Sequence, residues 1–249
     1  MVEHLITIDR INKTFVDFDG REIRVLNDIT FNINEGDFIT VFGPNGAGKT
    51  TLLNIIAKTE KPTGGNINFS KSNFKIGYVF QNYDESLLPW RTVEDNIALP
   101  LENGIFEDQE RYNEVDKIIK LLNLEKYRDK YPYLLSGGKK QLTALARALI
   151  IEPDILLMDE PFSSLDFGTT LEMEQLLLKI WKELNITILF VSHNIDEAIL
   201  LADQILVISP STQLHRINIK LERPRSHEVI LSQPFVEIKR EVIQKYGAI

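Results

Sequence analysis

The 249-residue chain contains no cysteine, which excludes a disulfide framework, a thiolate metal site and a cysteine nucleophile. The chain also has no excess of basic residues: it contains 28 Lys and Arg against 36 Asp and Glu, a net charge of -8, which argues against binding to the phosphate backbone of nucleic acids. No run approaches the roughly 18 apolar residues of a membrane span, and the first residues lack the pattern of a signal peptide. We therefore expect a cytoplasmic protein that does not cross a membrane by itself and does not bind nucleic acid.

The composition is that of a globular protein, with 43% apolar and 26% charged residues, and the length suits a single domain. Continuous apolar runs predict strands buried on both faces of a sheet, and helical patterns lie between most of them. These runs cover residues 38–42, 76–80, 155–158, 186–191 and 204–208. The alternation predicts an α/β fold with a mostly parallel core sheet.

Two segments depart from that alternation. Residues 5–9 and 30–34 read as half-buried strands around an Asp19-Gly20 turn, which predicts an antiparallel β part near the N-terminus. Residues 83–148 show helical periodicity without a convincing buried strand, as expected of a helical insert. We predict a core of about 1–82 and 149–210, a helical subdomain of about 83–148 and a C-terminal extension, 211–249, that contains a helix over 234–246.

A phosphate-binding pattern follows the first buried strand. Gly43-Pro44-Asn45-Gly46-Ala47-Gly48-Lys49-Thr50 fits G-x-x-x-x-G-K-[ST], with a strand before it and a helix after it. The glycines let the backbone approach phosphates, and the N–H groups at the helix start attract negative charge. Lys49 would reach the β- and γ-phosphates and Thr50 would bind Mg²⁺. A chance match over the whole chain has a probability of roughly 0.01 at average residue usage, so the pattern predicts nucleoside triphosphate binding.

Two carboxylates end a later buried strand. Asp159 lies at the carboxyl end of the run 155–158, the edge at which open α/β sheets bind ligands, and can hold the Mg²⁺ shell. Glu160 is placed to orient and polarise a water in line with the γ-phosphate. A solvated Asp-Glu-Pro turn is the alternative, and the phosphate loop makes it the weaker one.

Leu135-Ser136-Gly137-Gly138-Lys139-Lys140-Gln141 resembles the signature sequence of ATP-binding cassette (ABC) ATPases. The resemblance covers about residues 6–208 and implies a P-loop NTPase of ABC type with ATP and Mg²⁺ as cofactors. In that family two copies pack head to tail, and the signature of one, here Ser136, Gly137 and Gly138, closes on the ATP of the other. Without the family, these residues open a helix whose N–H groups form an anion site.

Other family positions match in order. Gln81 resembles the glutamine that senses Mg²⁺ and the γ-phosphate, His193 the switch histidine that contacts the γ-phosphate, and Asp166 part of a loop that touches the opposite copy. Further nucleotide contacts are implied for Thr51 and for Phe15, which would stack on adenine, with Phe18 as a competitor. Two positions depart from the family: Lys139 replaces the usual signature glutamine, and Leu142 replaces a common basic residue.

Residues 80–82 and 87–96 narrow the resemblance to importers of nitrate, taurine, alkanesulfonates and related solutes. This implies membrane permease subunits as partners, an external solute-binding protein, and a peripheral position on the inner face of the cell membrane. Trp90, beside two leucines and a proline, would be an apolar anchor for the permease. The alternative is that Trp90 packs under the helical insert.

Three other functions are the alternatives. Long coiled-coil inserts, two cassettes in one chain or a basic surface would favour a soluble ABC ATPase of assembly or repair, and the sequence shows none of them. A small-molecule kinase must exclude a poised water, which the signature and the pair Asp159-Glu160 argue against. A regulatory module that binds ATP without turnover does not need Glu160.

Overall fold

The computed structural model describes residues 4–82, 86–102, 108–209 and 213–247, so Tyr83 and Pro210, which lie at predicted boundaries, fall outside the described residues. The chain forms two compact units, Met1–Phe74 with Thr187–Ile249, and Lys75–Ile186. The predicted division into core, helical subdomain and extension stays a prediction.

The first unit contains an antiparallel three-stranded sheet. Strands β1 (Ile6–Val16) and β2 (Glu22–Ile33) form the predicted hairpin, and β4 (Gly64–Phe69) pairs with the other edge of β1. The prediction of 5–9 captured only the start of β1, because the ladder shifts register between Ile8 and Ile11 and the apolar alternation breaks there. Strand β4 was not predicted.

The parallel strands of the first unit hold the nucleotide motifs. Strand β3 (Phe38–Phe42) lies between β7 (Thr187–Ser192) and β8 (Gln204–Ile208) and is parallel to both, while β9 (Leu214–Asn218) is antiparallel to β8. Every residue of β3, β7 and β8 is buried, as the continuous apolar runs predict. Among its described residues, this unit also contains the α-helices α1 (Lys49–Ile56), α6 (Ile195–Leu201) and α7 (Gln233–Tyr246) and a short 3-10 helix, His227–Leu231.

The second unit contains a parallel pair of strands, β5 (Ile76–Val79) and β6 (Ile155–Asp159). Between them, the residues that the structure describes form helices and no strand, in line with the predicted helical insert. The α-helices whose bounds lie within the described residues of this unit are α2 (Val93–Ala98), α3 (Asp108–Leu121), α4 (Gly137–Leu149) and α5 (Phe167–Leu184). Short 3-10 helices cover Leu99–Leu101, Glu125–Tyr127 and Pro132–Leu134. Across the described ranges, no helix is both long and apolar enough to cross a membrane.

Candidate nucleotide site

The phosphate loop joins β3 to α1 and closes around its own lysine. Gly48 has a left-handed backbone with φ of 88°, and a Cβ there would lie 2.7 Å from Val25 Cγ1, so glycine is required twice over. Lys49 is 5% exposed, and its Nζ donates to the carbonyls of Gly43 at 3.0 Å and Pro44 at 3.1 Å. The ammonium group is therefore held within the loop by the carbonyls at its start.

Helix α1 begins directly after Gly48 and has no acidic residue in its first turn. The first N–H groups of a helix have no intrahelical acceptor and carry a partial positive charge. Thr50 is exposed and Thr51 half-buried in this turn, and the loop residues Asn45 and Gly46 before it are exposed. Exposed donors at the end of a helix dipole form an anion site of the kind that phosphates occupy.

His193 lies beside this loop in the first unit. Strands β3 and β7 are parallel and in register, with Phe42 opposite Ser192. Gly43 and His193 therefore follow paired positions at the carboxyl edge of the sheet, where open α/β folds bind ligands. The structure thus brings His193, which is exposed, to the edge that carries the phosphate loop.

Phe15 and Phe18 differ in their setting. The ring of Phe15 is 39% exposed on β1, and Lys13 Nζ lies 4.6 Å from its centroid, whereas Phe18 lies fully exposed in the hairpin turn. Phe15 pairs with Ile23 on β2, two residues from Val25, which packs against Gly48. This neighbourhood of the helix start favours Phe15 over Phe18 as the residue that stacks on adenine, and the assignment stays a prediction.

In the second unit, the strand ends bring Gln81 and the two carboxylates to one edge. Val79 pairs with Met158, so Gln81 and Glu160 each follow two residues after a paired position. Asp159 is 3% exposed at the end of β6, while Gln81 is exposed. Burial, together with the negative charge of Asp159, raises the pKa of Tyr78 well above its ordinary value.

Glu160 occupies a strained backbone position that the sequence pattern did not indicate. Its φ of 43° is in the left-handed region, which costs a non-glycine residue roughly 1 kcal/mol or more. Ser163 holds the turn, because its backbone N–H and its hydroxyl donate to the Glu160 carbonyl at 3.2 and 2.9 Å. The turn fixes a half-buried carboxylate directly after the sheet edge.

The signature residues open α4 with an arrangement suited to an anion. Ser136 is the N-cap, yet within the described part of the chain its hydroxyl makes no capping hydrogen bond. The first turn carries Lys139 and Lys140 and no acid, which is the reverse of the charge that a helix start normally attracts. The exposed Ser136 and Gly137 therefore present donors next to positive charge.

Asp166 lies in the same part of the second unit. It caps α5 by accepting from the backbone N–H of Thr169 at 3.0 Å and from the Thr169 hydroxyl at 2.6 Å, and these bonds lower the pKa of Asp166. A Cβ at Gly138 would lie 2.7 Å from Thr169 Cγ2, so the start of the signature helix packs closely on the turn that Asp166 holds. The structure thus brings the predicted residues Gly138 and Asp166 together.

Comparison with known proteins decides the family. The model of the ABC transporter family matches residues 26–163, which is more than half of the chain. The chain belongs to the ABC transporter family. It is 38% identical over 248 residues to the aliphatic sulfonates import ATP-binding protein SsuB of Bacillus cereus, across 97% of this chain and 95% of that protein. It is 36% identical over 246 residues to the nitrate import ATP-binding protein NrtD of Synechococcus elongatus, across 94% and 89% of the two chains.

A solved ABC structure has the same fold. The ATP-binding cassette solved as a dimer in a post-hydrolysis state, bound to ADP and Pi, superposes with a TM-score of 0.75 and 30% identity, over 87% of this chain and 100% of that one. The predicted ABC-type fold and the prediction of an ABC transporter ATPase are both confirmed by these likenesses.

The loop with Trp90 is fixed by a residue that sequence reasoning missed. Asn96 is fully buried on α2, and its side chain accepts from Leu88 N at 2.8 Å and donates to the carbonyls of Leu88, Arg91 and Thr92 at 3.1, 3.1 and 2.9 Å. Trp90 is 71% exposed on this loop, so the alternative that it packs under the helical insert is wrong. A buried polar residue within an apolar helix face is the signal that could have identified Asn96.

Proposed function

We propose that the chain is the ATP-hydrolysing subunit of an ABC importer for a small anion such as nitrate, a sulfonate or taurine. Two copies would act as a head-to-tail dimer at the inner face of the cell membrane, beneath a separate permease. The observation that carries the proposal is that the phosphate loop and His193 directly follow paired residues at the ends of the parallel strands β3 and β7. The choice of an importer rests on relatives named for sulfonate and nitrate import.

Binding of ATP uses the loop as it is built. The triphosphate takes the place of the loop carbonyls as the main partner of Lys49, and it accepts from the N–H groups of Gly46 and Gly48 at the start of α1. Phe15 stacks on the adenine ring. Because the loop geometry already exists, binding requires little reorganisation of the backbone.

Three of the predicted site residues have side chains whose chemistry suits Mg²⁺. Asp159 offers a nearly buried carboxylate oxygen, Thr50 a hydroxyl and Gln81 an amide oxygen, and oxygen ligands are those that Mg²⁺ prefers. When bound, Mg²⁺ neutralises charge on the β- and γ-phosphates. Asp159, Thr50 and Gln81 would hold it.

Hydrolysis is assigned to Glu160, which orients a water and accepts its proton as the water attacks the γ-phosphorus; the bond from that phosphorus to the β–γ bridging oxygen breaks, and ADP leaves. The strained, half-buried turn holds the carboxylate in one place, as a positioned base requires. His193 and Gln81 contact the γ-phosphate and fix the orientation of that phosphate.

The second copy completes the site. Ser136, Gly137 and Gly138 would close on the γ-phosphate held by the partner copy, with Asp166 beside them. The exposed helix start, flanked by Lys139 and Lys140, supports this role, since it has donors and positive charge but no acid. ATP binding then favours the closed dimer, and hydrolysis removes that preference, which drives the permease between its two states.

The permease is expected to contact the loop of Trp90. An exposed indole on a loop that Asn96 fixes offers a large apolar contact at low entropic cost. An extracytoplasmic solute-binding protein would deliver the anion from the other side of the membrane.

The test is to tag the chain, solubilise native membranes gently and identify the proteins that copurify. The proposal predicts a multi-pass membrane protein whose recovery falls in the variant Trp90→Ala and not in the control Tyr112→Ala, which removes another exposed aromatic side chain from α3. Recovery with a soluble partner alone would contradict the importer assignment and favour a role in assembly or repair.

A further inference from the structure

Helix α6 continues the chain directly from His193 and is locked to it by local hydrogen bonds. Asn194 N donates to Ser192 Oγ at 2.9 Å, and Asn194 Oδ1 accepts from Asp196 N at 3.0 Å. The Ser192 hydroxyl also bonds to the carboxylate of Glu197. His193 therefore lies within a short rigid segment, and a movement of the start of α6 moves its backbone.

Two arginines from the C-terminal region hold the other end of α6. The last carbonyls of a helix have no intrahelical donor. Arg225 Nη1 donates to the carbonyls of Ile199, Leu200 and Ala202 at 2.9, 3.2 and 2.6 Å, and Arg223 Nη2 donates to Leu201 O at 2.5 Å. The carbonyls of residues 199–202 are thus all satisfied by guanidinium groups.

These contacts are internal to the protein. The side chain of Arg225 is only 1% exposed. Burial, together with the positive charge of Arg223, lowers the pKa of Arg225 to about 10. Arg225 remains protonated at neutral pH, so a cation stabilises the negative end of the helix dipole. A neutral side chain would leave several carbonyls unsatisfied.

Helix α7 holds the start of α6. Lys239 Nζ donates to Asp196 Oδ1 at 2.6 Å, three residues after His193. Phe235 and Val242 are fully buried on the same face of α7, which anchors the helix to the first unit. One turn beyond Val242, the ring of Tyr246 packs on Phe42 with centroids 5.6 Å apart.

We propose that Arg223, Arg225, Lys239 and Tyr246 form a C-terminal clamp that positions His193 against the phosphate loop. The clamp touches α6 at both ends and touches β3 at Phe42, the residue before Gly43 and the register partner of Ser192. Lys239 is a positioning residue that acts through Asp196 and the start of α6. This role rests on the proposed function, because it assigns the γ-phosphate contact to His193.

The Lys239–Asp196 pair is suited to a test because its loss does not threaten the fold. The two side chains are 34% and 32% exposed, and ion pairs of that exposure contribute little to global stability. The test variant is Lys239→Met and the conservative variant is Lys239→Arg. The control is Lys245→Met, at an exposed position six residues further along α7.

The first measurement is amide hydrogen exchange in residues 193–198, and it does not depend on ATP turnover. Lys239→Met should speed exchange there by about threefold, while Lys239→Arg and Lys245→Met leave it unchanged. Equal exchange in all four proteins would overturn the clamp, whatever the function of the chain.

The second measurement is the steady-state kcat and KM of ATP hydrolysis, with and without His193→Ala. Lys239→Met should lower kcat about threefold at a similar KM, Lys239→Arg should restore it, and neither should change Tm by more than about 2 °C. In the His193→Ala background Lys239→Met should have no further effect. An equal loss in both backgrounds would overturn positioning through His193. A wild-type rate that His193→Ala does not alter would instead refute the proposed role of His193, and the clamp's catalytic role with it.

Discussion

Replacing Asn96 by alanine should release the loop of Trp90. The side chain makes four hydrogen bonds to the backbone of residues 88, 91 and 92, and it is fully buried. The alanine side chain has neither a donor nor an acceptor, so the variant loses all of these side-chain bonds.

The size of the effect follows from these bonds. The amide NH2 has two hydrogens for its three carbonyl acceptors, so the two hydrogens donated and the one bond accepted give a loss of about 3 kcal/mol, at about 1 kcal/mol each. Water at this surface loop replaces part of them, and alanine gains about 0.5 kcal/mol in helix propensity. We therefore expect Asn96→Ala to lower the free energy of unfolding by about 2–3 kcal/mol.

Urea unfolding measures this loss, and hydrogen exchange of residues 88–92 shows whether it is centred on the loop. Asn113→Ala is the matched control, because Asn113 is also on a helix but is exposed, and its change should stay within about 0.5 kcal/mol. If the two variants were equally stable, or if exchange in the loop did not increase, Asn96 would not be the residue that fixes the loop.

Two further substitutions test the site and its helix. Gly48→Ala should weaken ATP binding at least about tenfold in a nucleotide titration, because it adds both backbone strain and a 2.7 Å contact. The control Gly20→Ala has a similar φ of 77° but open space around it, so it should bind ATP normally. Equal affinities of the two variants would contradict the loop geometry. Gln141 is fully buried on α4 and its amide has no partner among the described residues, so Gln141→Met should raise the free energy of unfolding by about 1 kcal/mol in urea, and a loss of stability would show that the amide has a partner.

Sequence patterns were sufficient where local chemistry determines the structure. Strand β8 was predicted with its observed bounds, and helix α7 began within one residue of the predicted start. The continuous apolar run of β8 predicts a strand that is buried on both faces, and Ser232 before the periodic segment of α7 is a residue type that caps helices. Each signal therefore lies in the element or directly next to it.

Contacts between distant parts of the chain left no such signal. Strand β4 starts with two glycines and alternates with asparagines, and only its pairing with β1 makes it a strand. The second half of β1 follows a bulge at Arg10, whose φ of 49° shifts the alternation. The contacts of Arg225 with α6 join residues more than 20 positions apart, and an arginine in a loop gives no sign of them.

In the proposed function, two copies of this chain close on ATP, which Glu160 then hydrolyses. Light scattering of Glu160→Gln with saturating ATP and Mg²⁺ tests it most directly. We expect a stable dimer of twice the 28.6 kDa chain, with phosphate release reduced at least about a hundredfold, while the exposed control Glu125→Gln hydrolyses ATP like the wild type. A variant that stays monomeric with ATP bound, or one that hydrolyses at the wild-type rate, would contradict it.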